Sequence, residues 1–444
     1  VAASDAVVLS MAERAKVAAA AGRAVARAEM PDGLAALVGF DGFIDAIIDV
    51  VGTRHGMAHD AYDRVGTISA LAERVAAAAG KSTNLELVVH EERFGGNGPL
   101  LAGGLAQFGL PVTYIGAVGQ ESDASVVHPV FAPFAERCSG AGGRVIPVAP
   151  PARTDALEFD DGKVMLGKPQ NLQGITWASL KARFGLDGPG GLREMIGGVR
   201  LVGSVNWVMA GGVGGIWEGL STEVLPTLPA GKRPRMFIDL CDPAKRTDAD
   251  VKQACGQISQ LARLTAVSLG LNFAEAQRLD AVMGVHALAG VTPLEGEKIA
   301  RAAAALRSAM GLDCVVIHPR GGAGGADAGG GGGSGTCRWI DGPLVARPKL
   351  STGAGDHFNA GFCFGQLLGL PLEQCLAVGV GTSGAYVRDA ASPSRSRLGA
   401  FLAELPGAGG WGGAGGRGGR GGRTGRLGGG GHPFRRAAGP RMPS

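Results

Sequence analysis

No CxxC pair and no other close cysteine spacing occurs in this 444-residue chain. The seven cysteines, Cys138, Cys241, Cys255, Cys314, Cys337, Cys363 and Cys375, stand at least 12 residues apart and are odd in number. That excludes a zinc knuckle, a redox CxxC and a simple disulfide framework, and points to buried, reduced thiols in a reducing compartment. An uninterrupted apolar run of about 18 residues is also missing, so no membrane span is expected and the protein reads as soluble. Acidic residues are absent from the end of the chain: Gly407 to Ser444 holds seven arginines and no Asp or Glu. The formal net charge of +4 therefore becomes −3 for the rest. The body is mildly acidic and carries a basic tail; it is not a basic protein.

Glycine is what the chain has in excess, 78 in all, concentrated in Gly321 to Gly335 and from Gly407 onward. Outside those stretches the composition is ordinary, and an apolar share of 45% is enough for a large core. Three parts follow: an N-terminal extension over 1–34, a folded body over 35–405, and a disordered Gly/Arg-rich tail over 406–444. The segment 321–335 reads as a Gly-rich surface insertion. The first 30 residues are Ala-rich with Arg14, Lys16, Arg23 and Arg27, as at the edge of an organelle transit peptide. Glu13 and Glu29 oppose that, and an exposed helix without a wide apolar face is expected; the compartment is cytoplasm or an organelle stroma or matrix.

Along the body, Leu37 to Phe40 reads as a first buried strand, and Ile44 to Val51 continues extended. A helix over Ile68 to Ala79 precedes a strand over Glu86 to His90. Gly95-Gly96-Asn97-Gly98 opens a helix from Pro99 to Phe108, with proline at the first turn, where its missing N–H costs nothing. Val112 to Val118 is the next strand. Thr154 to Leu166 alternates around Asp161-Gly162, a hairpin signal. From Leu201 strands alternate with helices: strands at Leu201–Met209, Met236–Leu240, Ala266–Leu271 and Cys314–His318, helices at 214–228, 248–262, 274–283 and 295–310. The last helices cover Gly355 to Leu368 and Leu372 to Arg388. Alternation of this kind implies an α/β protein with a mostly parallel sheet covered on both faces.

The strongest local signal is Ser351-Thr352-Gly353-Ala354-Gly355-Asp356-His357-Phe358-Asn359-Ala360-Gly361-Phe362. Small residues lead into a helix whose first turn carries a carboxylate. Backbone N–H groups at such a start, from Gly353, Ala354 and Gly355, form an anion site aided by the helix dipole. The glycines let the backbone approach a phosphate, and Asp356 is placed to accept the proton of an attacking hydroxyl. The same residues also suit a plain helix cap behind a Gly-rich turn.

GAGD followed by a small-residue helix resembles the second signature of the ribokinase-like (PfkB) family of carbohydrate kinases. The first signature is matched by Phe94-Gly95-Gly96-Asn97-Gly98-Pro99, with Leu105-Ala106-Gln107-Phe108-Gly109 and Tyr114 to Gly119 after it. The resemblance covers roughly 35–405. It implies a ribokinase-like three-layer α/β/α sandwich with a mostly parallel central sheet and a small β-sheet lid, from about 40–60 and 145–170. It implies an ATP-dependent kinase for a sugar or sugar-like hydroxyl, with Asp356 as general base. Gly95, Gly96 and Asn97 would contact substrate, as would Asp45, favoured over its neighbour Asp41.

By the same resemblance Asn272-Phe273-Ala274-Glu275 matches an NxxE motif, so Asn272 and Glu275 would organise Mg²⁺ and phosphates, Glu275 through water. Asp242-Pro243-Ala244-Lys245-Arg246 resembles a DPxxR stretch whose Lys245 or Arg246 reaches phosphate or stays a solvated surface pair. His318 and Gly321 would stand on the nucleotide side, and the lid would also form a homodimer contact. Departures concern specificity. Leu350 and Ser351 replace the family's Asp-Thr before GAGD, which weakens the case for K⁺ activation; Leu100 replaces an Asn; Asn97 stands where several relatives carry Lys, against an already phosphorylated substrate. A nucleoside is the alternative acceptor. The alternative function is a weakened kinase-like scaffold binding nucleic acid through the tail arginines Arg417, Arg420, Arg423 and Arg426.

Overall fold

A computed structural model describes residues 6–31, 33–329, 335–345 and 348–405, all within one compact unit; the Gly/Arg-rich tail lies outside them. Short aliphatic runs set the architecture. Leu37-Val38, Val267 to Leu271 and Cys314 to Ile317 show no polar alternation and are buried along their whole length. Strands of this kind are covered on both faces. Ten strands form one sheet in the order Val7–Val8, Cys337–Asp341, Gly322–Asp327, Cys314–Ile317, Val267–Leu271, Arg235–Asp239, Leu201–Val205, Ala36–Phe40, Val112–Gly116 and Arg144–Pro147. Only the two pairings made by Gly322–Asp327 are antiparallel among them. The fold is ribokinase-like, with helices on both faces of this sheet and a smaller separate sheet beside it.

The small sheet is built on Phe43–Arg54, which pairs with Leu87–Gly95 along one edge and with Ala152–Phe159 along the other, and through its last residues with Tyr62–Arg64; Gly162–Lys168 pairs outside Ala152–Phe159. Leu87–Gly95 thus belongs to the lid, a partner the expected span of 40–60 and 145–170 omits. The hairpin turns at Asp160-Asp161, one residue earlier than the Asp161-Gly162 signal suggests, because Phe159 pairs with Gly162. Its carboxylates anchor the turn: Asp161 accepts the Ile68 N–H at 2.9 Å and Asp160 pairs with Arg64. The helix Ile68–Ala76 packs over Ile48, Leu157 and Val164 and closes a satellite core on one lid face.

Two expectations are corrected. The N-terminal extension is not an exposed helix: Met11–Arg27 buries Ala18, Ala21, Gly22 and Val25, and Gly22 meets Gly399 so closely that a Cβ would lie 2.9 Å from its carbonyl oxygen. Small side chains gave it a narrow seam rather than a broad apolar face. Nor is 321–335 a surface insertion throughout. Gly322–Asp327 is a buried strand, with glycine required because the ring of Trp339 and the backbone of Ala300 leave no room for side chains.

Helices Ala354–Leu367 and Leu372–Asp389 pack through glycine, and a Cβ on Gly361 would stand 2.6 Å from Val378 O. This contact fixes the helix that begins at the Asp356 turn. Gly361→Ala is expected to lower stability by about 1–3 kcal/mol through overpacking, read as a lower midpoint in urea; an unchanged midpoint contradicts the contact.

Candidate active site

Parallel strands deliver their following residues to one edge of the sheet, where α/β proteins bind ligands. Here Asp41, Asn206, Asp239, Asn272 and His318 all lie at or just beyond such strand ends. Asp356 comes to the same edge from the first turn of its helix. Beneath them is a cleft of about 740 Å³, lined by Asn97, Asp239, Glu275, His318, Gly355 and Asp356 among others.

The turn before Asp356 is pinned from behind. Gly353 has φ +83°, and a Cβ there would meet Leu100 at 2.9 Å, so both conformation and space call for glycine. Tyr386 donates its hydroxyl to Thr352 O at 2.9 Å, and the His357 ring, stacked on Tyr386 at 3.6 Å, reaches Gly353 O at 2.8 Å through Nδ1. Burial pushes His357 down to about 4, so it is neutral near pH 7. A carbonyl only accepts, which puts the proton on Nδ1 and leaves Nε2 to accept from Ser392 at 2.7 Å. Helix-start N–H groups have no intrahelical acceptor; that of Ala354 turns back to Ser351 O at 3.3 Å, while Gly355 and Asp356 line the cleft.

Asp356 is buried and accepts from Asn97 Nδ2 at 2.9 Å. Burial, then the charge of Asp239, pushes its carboxyl well above the ordinary range, against the Asn97 hydrogen bond. Asn97 itself is set by Asp41, which accepts the N–H groups of Asn97 at 2.9 Å and Gly98 at 2.7 Å and the Asn206 amide at 2.6 Å. Asp41 has no exposed surface, so its carboxylate organises the Gly95–Gly98 turn from inside. Burial holds it at about 6. Asp45, half-buried on the lid, is a different environment. Its carboxylate lies against Gly95, hydrogen-bonds Thr154, and has the cations of Lys163 and Arg93 nearby; burial still raises it.

Asn272 and Glu275 close a capping box at the start of Phe273–Val282: Glu275 N–H donates to Asn272 Oδ1 at 3.0 Å, and Glu275 accepts from Asn272 N at 2.8 Å and Asp242 N at 2.9 Å. Burial and then Asp239 raise Glu275 to about 8. Asp239, held by Cys241 N at 2.9 Å and Asn359 Nδ2 at 2.7 Å, is raised to about 6 by burial. Sequence reasoning missed Asp239, Asn359 and Asn206. The available signal for Asp239 was its position as the last residue of a buried parallel strand. Lys163 was missed as well: it bridges Glu158 at 3.1 Å and Thr352 Oγ1 at 3.4 Å, joining lid to turn.

Of the remaining candidates His318 lines the cleft, whereas Lys245, Arg246 and Gly321 do not. Arg246 lies over Trp207 at 4.6 Å and pairs with Asp250, and Lys245 pairs with Asp242. Gly321 accepts the Gly342 N–H at 2.8 Å as part of a strand connection, while Arg320 and Gly322 line the cleft. His318 stacks on Phe358 at 4.5 Å and is held neutral by burial, at about 4; its buried Nε2 has no partner among the described residues.

A model of the family described as prokaryotic ketohexokinase matches residues 11–405. The chain is 30% identical over 377 residues to a ketohexokinase of Haloferax volcanii, covering 84% of this chain and 92% of that one. The chain belongs to the prokaryotic ketohexokinase family. It is a carbohydrate kinase. Among solved structures, a ribokinase of Thermotoga maritima superposes with TM-score 0.53 at 14% identity, covering 83% of this chain and 99% of its own. An Arabidopsis thaliana ribokinase solved with ribose and ATP gives 0.52 at 16%, covering 83% and 98%. These place the ketohexokinase family member in the ribokinase fold. Among the described residues, no helix is long and apolar enough to cross a membrane.

The raised carboxyls make the stability of the ligand-free protein pH-dependent. An acid whose pKa is higher folded than unfolded stabilises the fold below its unfolded value and loses that contribution as pH rises through its folded value. For Glu275 the loss runs up to about pH 8. The melting temperature should fall from pH 6 to about 8, and Glu275→Gln should flatten that fall; equal slopes in both proteins would contradict the assignment.

Proposed function

We propose that this chain transfers the γ-phosphate of ATP to a hydroxyl of a ketohexose, with Asp356 as general base. One observation carries the reading: Asp356 stands at the first turn of a helix entered through a left-handed glycine, hydrogen-bonded to Asn97 and open to the cleft. A buried carboxylate of raised proton affinity takes a proton from an alcohol more readily than a solvated one. The Gly353–Gly355 backbone faces the transferring phosphoryl and stabilises its charge. Gly95, Gly96, Asn97 and Asp45 form the sugar side. Asp41 acts behind them as a positioning residue.

The nucleotide side is the neutral His318–Phe358 stack with Asn272 and Glu275. Among the described residues no group of three or more His, Cys, Asp or Glu side chains could hold a metal ion. Yet Asp239 and Glu275 are buried carboxylates with elevated proton affinity, which favours a nearby cation. That donor set fits a hydrated Mg²⁺ shared with the nucleotide phosphates, since this ion keeps several waters. Bound there, it would neutralise phosphate charge. Leu350 in place of the usual Asp leaves no observation in favour of K⁺. The scaffold and nucleoside readings have no observation of their own.

Asp356→Asn should lower kcat for ketohexose-dependent ADP release by about 10²–10⁴-fold without unfolding the protein; retained turnover overturns the base assignment. Lys163 supplies a lid cation beside the anion turn. Lys163→Met should reduce kcat by roughly 10- to 100-fold, the worth of a charge-assisted hydrogen bond, with partial rescue by Arg. Glu158→Gln should leave kcat near wild type. If both variants lose equally, Lys163 serves only the cross-strand pair.

A further inference from the structure

The opposite pole of the sheet holds a second cavity, of about 850 Å³. Its walls come from the N-terminal ends of the strands Ala36–Phe40, Leu201–Val205, Arg235–Asp239 and Val267–Leu271, and from the last turn of the helix that Asp356 begins. Four cationic residues border it: Arg200, Lys232, Arg233 and Arg235. No acidic side chain is among the described residues that line it.

Arg235 has a counter-charge in Asp313 and also meets Ser268 Oγ at 3.3 Å. The other three have none: among the described residues, no salt bridge includes Arg200, Lys232 or Arg233. Two of them are nonetheless fixed in place. Arg233 donates from Nε to Leu228 O and from Nη1 to Leu264 O, both at 3.1 Å, and Arg200 donates from Nη1 to Gly231 O at 3.2 Å. A guanidinium has five N–H donors, so each keeps donors in hand. Carbonyl capping accounts for Arg233. It occupies one donor of Arg200 and, among the described residues, none of Lys232, and the charges of both border the same cavity. Four cations crowded with the single carboxylate of Asp313 among them repel one another, and an anion in the cavity would reverse the sign of that interaction.

We infer that this cavity is a second, non-catalytic binding site for a phosphorylated metabolite carrying at least two phosphate charges. Guanidinium forks match phosphate oxygens in pairs, and the volume falls within the range of small-molecule sites, roughly 300–1,000 Å³. The wall also includes Gln366, which exchanges hydrogen bonds with Ser268 at 3.0 and 3.1 Å. Ser268 lies on the strand that ends at Leu271, beside Asn272, so the cavity shares two elements with the catalytic cleft.

The test is a calorimetric titration of the full chain with inorganic pyrophosphate, in the absence of ATP and sugar. It therefore reads this site independently of the kinase reaction. Wild type should bind saturably. The double variant Arg200→Ser, Lys232→Ser, both exposed and thus safe for folding, should bind at least about tenfold more weakly, one charge-assisted contact being worth roughly that. Its melting temperature and its KM for Mg·ATP should be unchanged. Saturable binding that is equal in wild type and variant would place the anion at the catalytic turn and overturn the proposal. Absence of saturable binding to wild type would overturn it as well.

Discussion

Four carboxyl groups, Asp41, Asp239, Glu275 and Asp356, are withdrawn from water within one patch at the edge of the sheet, and the surrounding structure is organised around that burial. An isolated buried carboxylate is expensive unless donors meet it. The donors here are backbone amides of Asn97, Gly98, Cys241, Asp242 and Asn272, and the side-chain amides of Asn97, Asn206 and Asn359. Each fixes a turn that would otherwise be free to move. Asp41 sets the glycine turn, which sets Asn97, which orients Asp356. The donors are too few to restore ordinary acidity, so these carboxyls have raised proton affinity, and a cation beside them would favour the carboxylate form that accepts a proton.

The lid completes the site from the other side. Its inner row places Asp45 opposite Arg93 and Thr154, and Lys163 opposite Glu158. The ammonium of Lys163 meets the hydroxyl of Thr352, in the same turn whose carbonyls Tyr386 and His357 hold. The small sheet and the turn before Asp356 are thereby joined through one side chain. That arrangement suits a reaction in which water must be kept from the transferring phosphoryl.

The glycine-led turns were legible in the sequence because their geometry is set by contiguous residues. Gly353 to Asp356, Gly95 to Asn97 and the Asn272–Glu275 box each depend on spacing of a few positions. Asp239, Asn359 and Asn206 were not legible, because each is a single polar residue whose partner lies 120 or 165 positions away. The parallel sheet could be read from strand and helix alternation. Membership of Leu87–Gly95 in the lid could not, since a strand of that composition fits either sheet. Glycine density misled at 322–327, where it signals close packing against Trp339 and Ala300 rather than a loop.

Burial in this patch raises the proton affinity of Glu275 and Asp356. The most direct measurement is a carbon-13 NMR titration of the ligand-free protein labelled at its Asp and Glu carboxyl carbons, with Asp356→Asn and Glu275→Gln to assign the signals. Carboxyls titrating at or above about pH 6 are expected, with that of Glu275 near 8, and one such signal lost in each variant. Every carboxyl titrating below about pH 5, as solvated acids do, would contradict it.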